Sequence, residues 1–255
     1  MKPINNDIYQ RRAGLDKDTC NKLINIMHKE ERLGNVGKNI ITKVKGSSDN
    51  IDTIYDDKQK DVWYFDLKVS NTYLDIVKEL EVYLRDTITN YMLSFSKPDT
   101  FIKKYLDHTH TFFPYLILAK YDKNKGHINS WHTDRDPGSM RIYNHPHKDN
   151  NFILTEPSFV LTTYLNNVTQ GGETFFKYNN TKIKATTGTT IIFPTTFPYV
   201  HKALKPKVVD KYILTTKLTY DLTGTISSVF NDHTSEKGWV YKRPTTETSG
   251  ESNYE

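Results

Sequence analysis

The sequence predicts a mainly β domain, a sandwich or barrel, with helices in its N-terminal part. Two segments before residue 100 carry apolar residues at steps of three and four, the period of a helix that buries one face. After Phe112 the pattern changes to short apolar runs that are separated by turn residues. Many short strands with turns between them are typical of β-sandwiches and barrels.

The two helical segments are bounded by residues that start and stop helices. The first covers residues 16–32, where Asp16 or Asp18 can cap the N-terminus and Gly34 and Gly37 follow the last turn. The second covers residues 71–95 and has the clearer apolar stripe, and Pro98 ends it. We expect this stripe to pack on a sheet.

The predicted strands are short apolar runs or runs that alternate between apolar and polar residues. They cover residues 62–67, 115–121, 159–165, 174–176, 189–193 and 212–220. Residues 1–14 are interpreted as an irregular lead-in. The long connector 136–157, which contains three prolines, is interpreted as a functional loop near a binding site.

Composition argues against a disulfide-bonded secreted protein and against a protein that spans a membrane with helices. The chain of 255 residues has one cysteine, Cys20, so no disulfide can form within it and nothing indicates an oxidising compartment. No apolar run approaches the roughly 18 residues of a membrane helix, and the polar N-terminus does not resemble a signal peptide. We therefore expect a cytoplasmic protein. Its richness in Asn, Lys, Ile and Thr is typical of AT-biased microbial or viral genomes.

A metal site is predicted from His132, Asp134 and the distant His201. Residues two apart on a strand point to the same face, so His132 and Asp134 can bind one ion without a bend in the chain. His201 would add a second imidazole. Two imidazoles and one carboxylate, with open positions opposite, favour the non-haem Fe(II) of oxygenases.

These ligands belong to an ordered series of motifs. The series is a strand ending in Tyr121, His132-Thr133-Asp134, Tyr164-Leu165-Asn166, Gly171-Gly172-Glu173-Thr174, Ile191-Ile192-Phe193-Pro194, His201 and Lys211. Its order and spacing resemble those of the 2-oxoglutarate- and Fe(II)-dependent oxygenases, in particular the prolyl 4-hydroxylase-like branch. The resemblance covers somewhat under half of the chain.

The resemblance implies a double-stranded β-helix, or jelly roll, that N-terminal helices brace. Three regions follow from it. Residues 1–100 would be a helical support region integrated with the core, and residues 101–232 would be the dioxygenase core. Residues 233–255 are expected to be a largely disordered C-terminal extension, because they are rich in Thr, Ser and Glu.

The resemblance also implies a role for each site residue. The iron ligands would be His132, Asp134 and His201. The distal carboxylate of 2-oxoglutarate would pair with Lys211 and accept hydrogen bonds from Tyr121, Tyr164 and Thr215. The implied reaction uses dioxygen to convert 2-oxoglutarate into succinate and carbon dioxide while a C–H bond is hydroxylated, with ascorbate as a supporting reductant.

Several of these residues also have purely structural interpretations. Lys211 opens an apolar strand, where an unpaired ammonium would be costly, but a lysine at a strand end can also reach water. Tyr121 and Tyr164 could be ordinary core tyrosines. Glu173 is interpreted as part of the Gly-Gly turn rather than as a metal ligand. The other histidines, His127 among them, are interpreted as surface or loop residues.

The substrate is the least determined part of the prediction. Prolyl hydroxylases of this branch usually have tryptophan at the position that Lys217 occupies here, so peptidyl proline is in doubt. We still expect a protein or peptide substrate, most of all proline, whereas a nucleic-acid partner is disfavoured. Arg135 and Arg141, together with Trp131, could face the substrate. The alternatives are the same chemistry on a nucleobase or small molecule, and a catalytically silent jelly-roll binding module.

Overall fold

The structure is a computed structural model that describes residues 2–5, 8–38, 60–95, 111–135, 141–144 and 152–221. The extension predicted for residues 233–255 lies outside these residues. Met1–Leu222 form one compact unit of the chain. Within the described residues, no helix combines the length and the apolar character that crossing a lipid bilayer requires.

The helices and strands follow one another in a simple order along the chain. The helices are α1 (Lys17–Arg32) and α2 (Leu74–Leu93), and short 3-10 turns cover Leu67–Val69 and Asn71–Tyr73. The strands are β1 (Lys2–Asn5), β2 (Ile8–Arg11), β3 (Gly37–Lys38), β4 (Lys60–Asp61), β5 (Trp63–Asp66), β6 (Thr111–Phe112), β7 (Ile117–Tyr121), β8 (His127–His132), β9 (Arg141–Asn144), β10 (Phe152–Tyr164), β11 (Thr174–Phe176), β12 (Thr181–Ile183), β13 (Thr190–Pro194), β14 (His201–Ala203) and β15 (Lys211–Asp221).

The strands form two antiparallel sheets. The larger sheet has ten strands, in the order β1-β2-β13-β10-β15-β7-β5-β3, with β6 paired to β15 and β9 paired to β10. The smaller sheet has five strands, in the order β12-β11-β14-β8-β4. The chain is therefore mainly β, with two antiparallel sheets and a few helices in a jelly-roll-like arrangement, and the predicted fold class is confirmed to that extent.

Strand alternation sends the side chains of β15 into two different buried clusters. Leu214 and Leu218 join a cluster that contains residues of both helices, such as Leu23 of α1 and Leu80 of α2. Ile213, on the opposite face, joins a second cluster that contains residues of the smaller sheet, such as Phe176. The larger sheet thus has one face toward the helices and one toward the smaller sheet.

Both helices lie where the apolar periodicity predicts them. Asp16 caps α1, because its side chain accepts a hydrogen bond of 2.8 Å from the backbone N–H of Thr19. Gly34 follows the helix with a φ of 73°, a conformation that suits glycine. For α2 the predicted residues 71–95 are slightly too long, because its first turn is a separate 3-10 turn.

Two segments that the sequence suggested to be irregular form strands instead. Residues of the N-terminal lead-in form β1 and β2, and β2 pairs with β13 at the edge of the larger sheet. The connector 136–157 contains β9, which pairs with the first part of β10, so part of it is a hairpin. These strands form because their backbone pairs with a neighbouring strand of the sheet. Their side-chain pattern alone does not predict this pairing.

Candidate functional site

The three predicted metal ligands meet on the inner face of the smaller sheet. His132 ends β8 and His201 begins β14, and the two residues are directly paired across these strands. Their ring centroids are 4.4 Å apart. Asp134 Oδ2 lies 3.4 Å from His201 Nε2. One ligand atom from each of the three residues lies within 4.8 Å of the others.

Asp134 reaches the site in a different way from that predicted. Strand β8 ends at His132, so Asp134 lies in the bend after the strand and not at a second inward position on it. The backbone N–H of Arg135 donates a hydrogen bond of 3.0 Å to the carbonyl oxygen of Thr195, which ties this bend to the segment before β14. Convergence of the ligands therefore depends on the bend as well as on the strand.

Both imidazoles are held in the form that a metal ion requires. His132 Nδ1 lies 3.1 Å from the carbonyl oxygen of Ser130, and His201 Nδ1 lies 3.1 Å from that of Tyr199. A carbonyl can only accept a hydrogen bond, so each Nδ1 must carry the proton in these contacts. In a neutral ring Nε2 then keeps its lone pair, and backbone contacts of this kind usually orient metal-binding histidines.

The electrostatics of the site favour neutral imidazole beside an ionised carboxylate. Burial lowers the pKa of His201 to about 4, although Asp134 acts in the opposite direction. Burial raises the pKa of Asp134, but the cation of Lys217, together with the charge that His201 and His132 carry when they are protonated, outweighs it and holds this pKa below its ordinary value. At neutral pH, His201 therefore presents a lone pair and Asp134 an anion, and both are donors of the kind that a divalent metal ion binds.

Lys217 contacts Asp134 directly. Its Nζ donates a hydrogen bond of 2.7 Å to the carbonyl oxygen of Asp134 and lies 3.3 Å from Oδ1 of the same residue. The other carboxylate oxygen, Oδ2, faces His201. Lys217 thus contacts one oxygen of the Asp134 carboxylate and leaves the second oxygen, Oδ2, available to bind a metal ion.

The predicted cosubstrate lysine is buried between two tyrosines. Lys211 and Tyr121 are directly paired on β15 and β7. Lys211 Nζ lies 4.6 Å from the centroid of the Tyr121 ring and 5.5 Å from that of the Tyr164 ring. Lys211 is 1% exposed, and in the described part of the chain its ammonium forms no ion pair or hydrogen bond. A buried ammonium without a carboxylate partner is the feature that an anionic ligand would complete.

The hydroxyl groups predicted to surround the cosubstrate differ in their partners. The Tyr164 hydroxyl donates a hydrogen bond of 2.8 Å to Thr174 Oγ1. Thr215 Oγ1 lies 3.2 Å from Thr162 Oγ1 and 3.3 Å from the carbonyl oxygen of Leu161. Within the described residues the Tyr121 hydroxyl has no such partner. Tyr121 is therefore the one of the three whose hydroxyl is available for a ligand in this conformation.

Asn166 positions Lys211, a role that the sequence motif did not reveal. Its side-chain nitrogen donates a hydrogen bond of 2.7 Å to the carbonyl oxygen of Asp210, and its side-chain oxygen accepts one of 2.9 Å from the backbone N–H of Tyr212. One amide thus binds the backbone on both sides of Lys211. An asparagine directly after a β-strand was the available signal.

Two other residues lie elsewhere than expected. His127 is buried within β8 rather than in a surface loop, and its Nδ1 lies 2.6 Å from the carbonyl oxygen of Lys125. Trp131 is 37% exposed and packs against Phe175, on the face of the smaller sheet opposite to His132. Trp131 therefore points away from the site. The side chain of Arg141 lies outside the described residues.

The buried ammonium of Lys211 should make stability depend on pH. Burial lowers its pKa from 10.5 to about 7, although Glu173 acts in the opposite direction. The unfolded chain then binds one more proton than the folded chain between these two pH values, so stability should rise with pH there, by at most about 1.4 kcal/mol per pH unit. Chemical denaturation of the ligand-free protein between pH 7 and pH 9 measures this slope.

A Lys211→Met variant is the control for this pH dependence. Because methionine does not titrate, the difference in unfolding free energy between the two proteins should shrink as the pH rises above 7. A difference that stays constant over this range would show that Lys211 remains charged in the folded protein.

The residues of the site can be compared with the needs of Fe(II) and 2-oxoglutarate, the two groups that the sequence resemblance implies. His132, Asp134 and His201 offer two imidazole nitrogens and one carboxylate oxygen, which fits Fe(II). Lys211 offers a buried amine that forms no ion pair in the described structure, and Tyr121 a hydroxyl without a hydrogen bond there, which fits the distal carboxylate of a keto diacid. Both groups therefore fit the residues present.

Comparisons by sequence find no relative of this chain. No protein-family model matches it, and no curated protein matches it. The predicted resemblance therefore depends on a few spaced residues and not on overall sequence similarity.

Comparisons by structure do find relatives of the fold. A collagen prolyl hydroxylase of Paramecium bursaria Chlorella virus 1, in a complex with 2-oxoglutarate, is 18% identical, with a TM-score of 0.52 over 84% of this chain and 97% of that one. A prolyl 4-hydroxylase of Pseudomonas putida is 13% identical, with a TM-score of 0.51 over 85% and 93%.

A third solved structure has a higher TM-score. It is a prolyl hydroxylase of Trichoplax adhaerens in complex with a peptide fragment of the hypoxia-inducible factor, and it is 11% identical, with a TM-score of 0.59 over 88% of each chain. At these identities the likeness shows the fold. The fold is that of prolyl hydroxylases, so the predicted resemblance to the prolyl 4-hydroxylase-like branch is confirmed at the level of the structure.

Proposed function

We propose that the protein is a 2-oxoglutarate- and Fe(II)-dependent dioxygenase that hydroxylates a side chain of a protein or peptide, with proline as the favoured target. One observation carries the proposal. Two imidazoles and a carboxylate converge within 4.8 Å, in the fold that the prolyl hydroxylases share. A buried lysine without an anionic partner, Lys211, supports the same function.

Each predicted residue keeps a distinct role in this proposal. His132, Asp134 and His201 hold the ferrous ion, and Lys211 pairs with the distal carboxylate of 2-oxoglutarate. Tyr121 donates a hydrogen bond to this carboxylate. Tyr164 and Thr215 do so only if they give up their contacts with Thr174 and Thr162, and ascorbate remains an expected supporting reductant.

The chain supplies binding, orientation and a dry environment. When bound, the ferrous ion and 2-oxoglutarate supply an oxidation by dioxygen that yields succinate, carbon dioxide and a hydroxylated product. The backbone carbonyls of Ser130 and Tyr199 hold a proton on each imidazole Nδ1, so that Nε2 is the nitrogen available to the site. The apolar cluster between the sheets, which includes Tyr121, Tyr164 and Phe193, excludes water around the Lys211 ammonium.

The larger architecture is proposed to support this site. The N-terminal helices within residues 1–100 brace the outer face of the larger sheet, because Leu23 and Leu80 share a buried cluster with Leu214 of β15. Residues 101–232 form the dioxygenase core, to which β2 and β5 contribute from the N-terminal region. On the opposite face of β15, the core carries Lys211.

A peptide substrate is favoured by the structural relatives. The viral relative is described as a collagen prolyl hydroxylase, and the Trichoplax relative is bound to a peptide. Lys217 departs from the tryptophan usual in this branch and adds a cation beside Asp134. This cation would favour a peptide whose residues near the target carry negative charge.

The direct test is the conversion of 2-oxoglutarate into succinate by the purified protein with Fe(II) and ascorbate. We expect turnover that rises when a proline-containing peptide is added, with a mass increase of one oxygen atom on that peptide. If succinate forms and a nucleobase or small molecule is hydroxylated while no peptide is, the substrate is not a peptide and the alternative substrate class is correct. A protein that binds no iron and forms no succinate would be a silent binding module.

Lys217 should help to hold the metal ligand in place. We expect Lys217→Met to lower Fe(II) affinity about tenfold, within the range of 10- to 100-fold typical for residues that orient a ligand. The reason is that Asp134 loses the contacts of 2.7 Å and 3.3 Å that fix its backbone and Oδ1. Equilibrium dialysis without oxygen measures the affinity.

Lys217→Arg is the matched control, because it keeps the charge and the capacity to donate. It should retain most of the affinity. A gain of affinity in Lys217→Met would instead mean that the cation mainly repels the metal ion, and the orienting role would be wrong.

A further inference from the structure

The outer face of the smaller sheet carries a row in which lysines and aromatic rings alternate. Lys182, Phe175 and Lys202 are direct neighbours across β12, β11 and β14, and Trp131 follows on β8. Lys182 Nζ lies 4.9 Å from the Phe175 ring, and Lys202 Nζ lies 4.6 Å from the Trp131 ring. At the usual strand spacing, this row across four strands is about 14 Å long.

The row continues onto two further rings, Tyr178 and Phe197, which are exposed. Lys177 Nζ lies 5.8 Å from the Trp131 ring and 5.3 Å from the Tyr178 ring. The Tyr178 ring packs edge-on against Phe197, at 5.1 Å. Tyr178 is 55% exposed and Phe197 is 69% exposed. Seven residues make up what is called the aromatic-lysine surface below: Trp131, Phe175, Lys177, Tyr178, Lys182, Phe197 and Lys202.

The charge of this surface has one sign. Residues 174–209 contain six lysines and no aspartate or glutamate, in a chain whose net charge is only +5. In the described structure, none of Lys177, Lys182 and Lys202 forms an ion pair. The rings of Trp131 and Phe175 are the contacts of these ammonium groups instead. The surface is therefore complementary to an anionic partner.

We propose that the aromatic-lysine surface binds single-stranded nucleic acid, independently of the site on the inner face. Single-stranded nucleic acid combines regularly spaced negative charges with planar bases, and proteins bind it with lysines for the phosphates and aromatic rings for the bases. An acidic peptide would need the lysines but would leave four aromatic rings, three of them exposed, without a role. The flexible lysine side chains can leave the rings to contact phosphates, which frees the ring faces for bases.

The surface faces away from the candidate metal site. His132 and Trp131 are consecutive on β8, and His201 and Lys202 are consecutive on β14, so their side chains point to opposite faces of the sheet. Binding at this surface therefore does not need the triad. The sequence alone disfavoured a nucleic-acid partner, because its best basic-aromatic segment was short and the residues of this surface are scattered along the chain.

The test is fluorescence anisotropy of a labelled oligothymidylate with the full-length protein over a series of salt concentrations. We expect the double variant Lys177→Ala/Lys182→Ala to make the dependence of log affinity on log salt shallower, by about 0.7 for each lost phosphate contact. Lys205→Ala/Lys207→Ala is the matched control. This control also removes two positive charges from residues 174–209, but at positions outside the aromatic-lysine surface. Its dependence of log affinity on log salt should equal that of the parent protein.

Stacking is tested separately from charge. Replacing Trp131 or Phe175 with leucine should weaken binding about tenfold for each ring. If either protein does not fold, Phe197→Ser tests the same contact at the most exposed ring, and circular dichroism checks the fold. An abasic strand of the same length should bind more weakly than oligothymidylate.

Four results would overturn this proposal. They are no binding at low salt, equal effects of the two double lysine variants, equal affinity for the abasic strand, and displacement of the oligonucleotide by polyglutamate at equal charge. The last result would mean that the surface takes an acidic peptide. None of them depends on iron or 2-oxoglutarate, so the proposed dioxygenase activity is tested independently.

Discussion

Replacement of His132 by alanine is expected to abolish Fe(II) binding and, with it, the formation of succinate from 2-oxoglutarate. His132 and His201 are paired across two strands with ring centroids 4.4 Å apart, and no other imidazole in the described structure joins this group. The variant keeps one nitrogen and one carboxylate, which is too few donors to retain a ferrous ion. We expect affinity to fall by more than about 100-fold, beyond the effect of losing an orienting residue.

The matched control is His127→Gln, which removes another imidazole from the same strand. His127 contacts the carbonyl oxygen of Lys125 and is not one of the three converging residues. This control should bind one equivalent of iron in anaerobic dialysis, whereas His132→Ala should bind none. Iron binding by His132→Ala with unchanged affinity would refute the ligand assignment, whatever the activity.

Replacement of Lys211 by methionine is expected to raise the 2-oxoglutarate requirement by at least about thirtyfold. Loss of one partner from a buried charge pair costs about 2–5 kcal/mol, and about 1.4 kcal/mol corresponds to a factor of ten. Methionine fills a similar volume between Tyr121 and Tyr164 but cannot pair with a carboxylate. Isothermal titration of the Fe(II)-loaded protein, or the concentration dependence of succinate formation, measures the change.

Two observations separate this effect from general damage. Iron binding should be unchanged in Lys211→Met, because Lys211 is not among the converging ligands. The ligand-free variant should be at least as stable as the parent at neutral pH, since it lacks a buried, unpaired ammonium. An unchanged 2-oxoglutarate requirement would mean that another basic residue binds the cosubstrate.

The fold was predictable where the side-chain pattern alone decides the structure. The alternation from Tyr212 to Tyr220 predicts β15, whose two faces enter two different buried clusters. The stripe of α2 and the Asp16 cap of α1 are equally local signals. In contrast, β1, β2 and β9 are short, and they are determined by pairing: β2 pairs with β13, β1 with β2, and β9 with β10. Residues close in sequence do not contain that information.

The candidate site was predictable in its chemistry and less so in its geometry. His132, His201 and Lys211 were identifiable because few other histidines or lysines of the chain stand at the spacing that the motif series requires. The contact of Lys217 with Asp134 joins residues far apart in sequence, so only the folded chain reveals it. The same holds for Asn166, whose amide bridges Asp210 and Tyr212. The outward direction of Trp131 follows from strand alternation once β8 is known.

The position of β2 has a practical consequence for anyone who shortens this protein. Strand β2 covers the backbone of β13, and Ile8 is fully buried in the cluster that also contains Tyr121 and Tyr164. A truncation that starts after residue 14 would uncover the polar backbone groups of Ile191 and Ile192 along an apolar edge. Such an edge recruits strands from other molecules, so an N-terminally trimmed form is expected to aggregate.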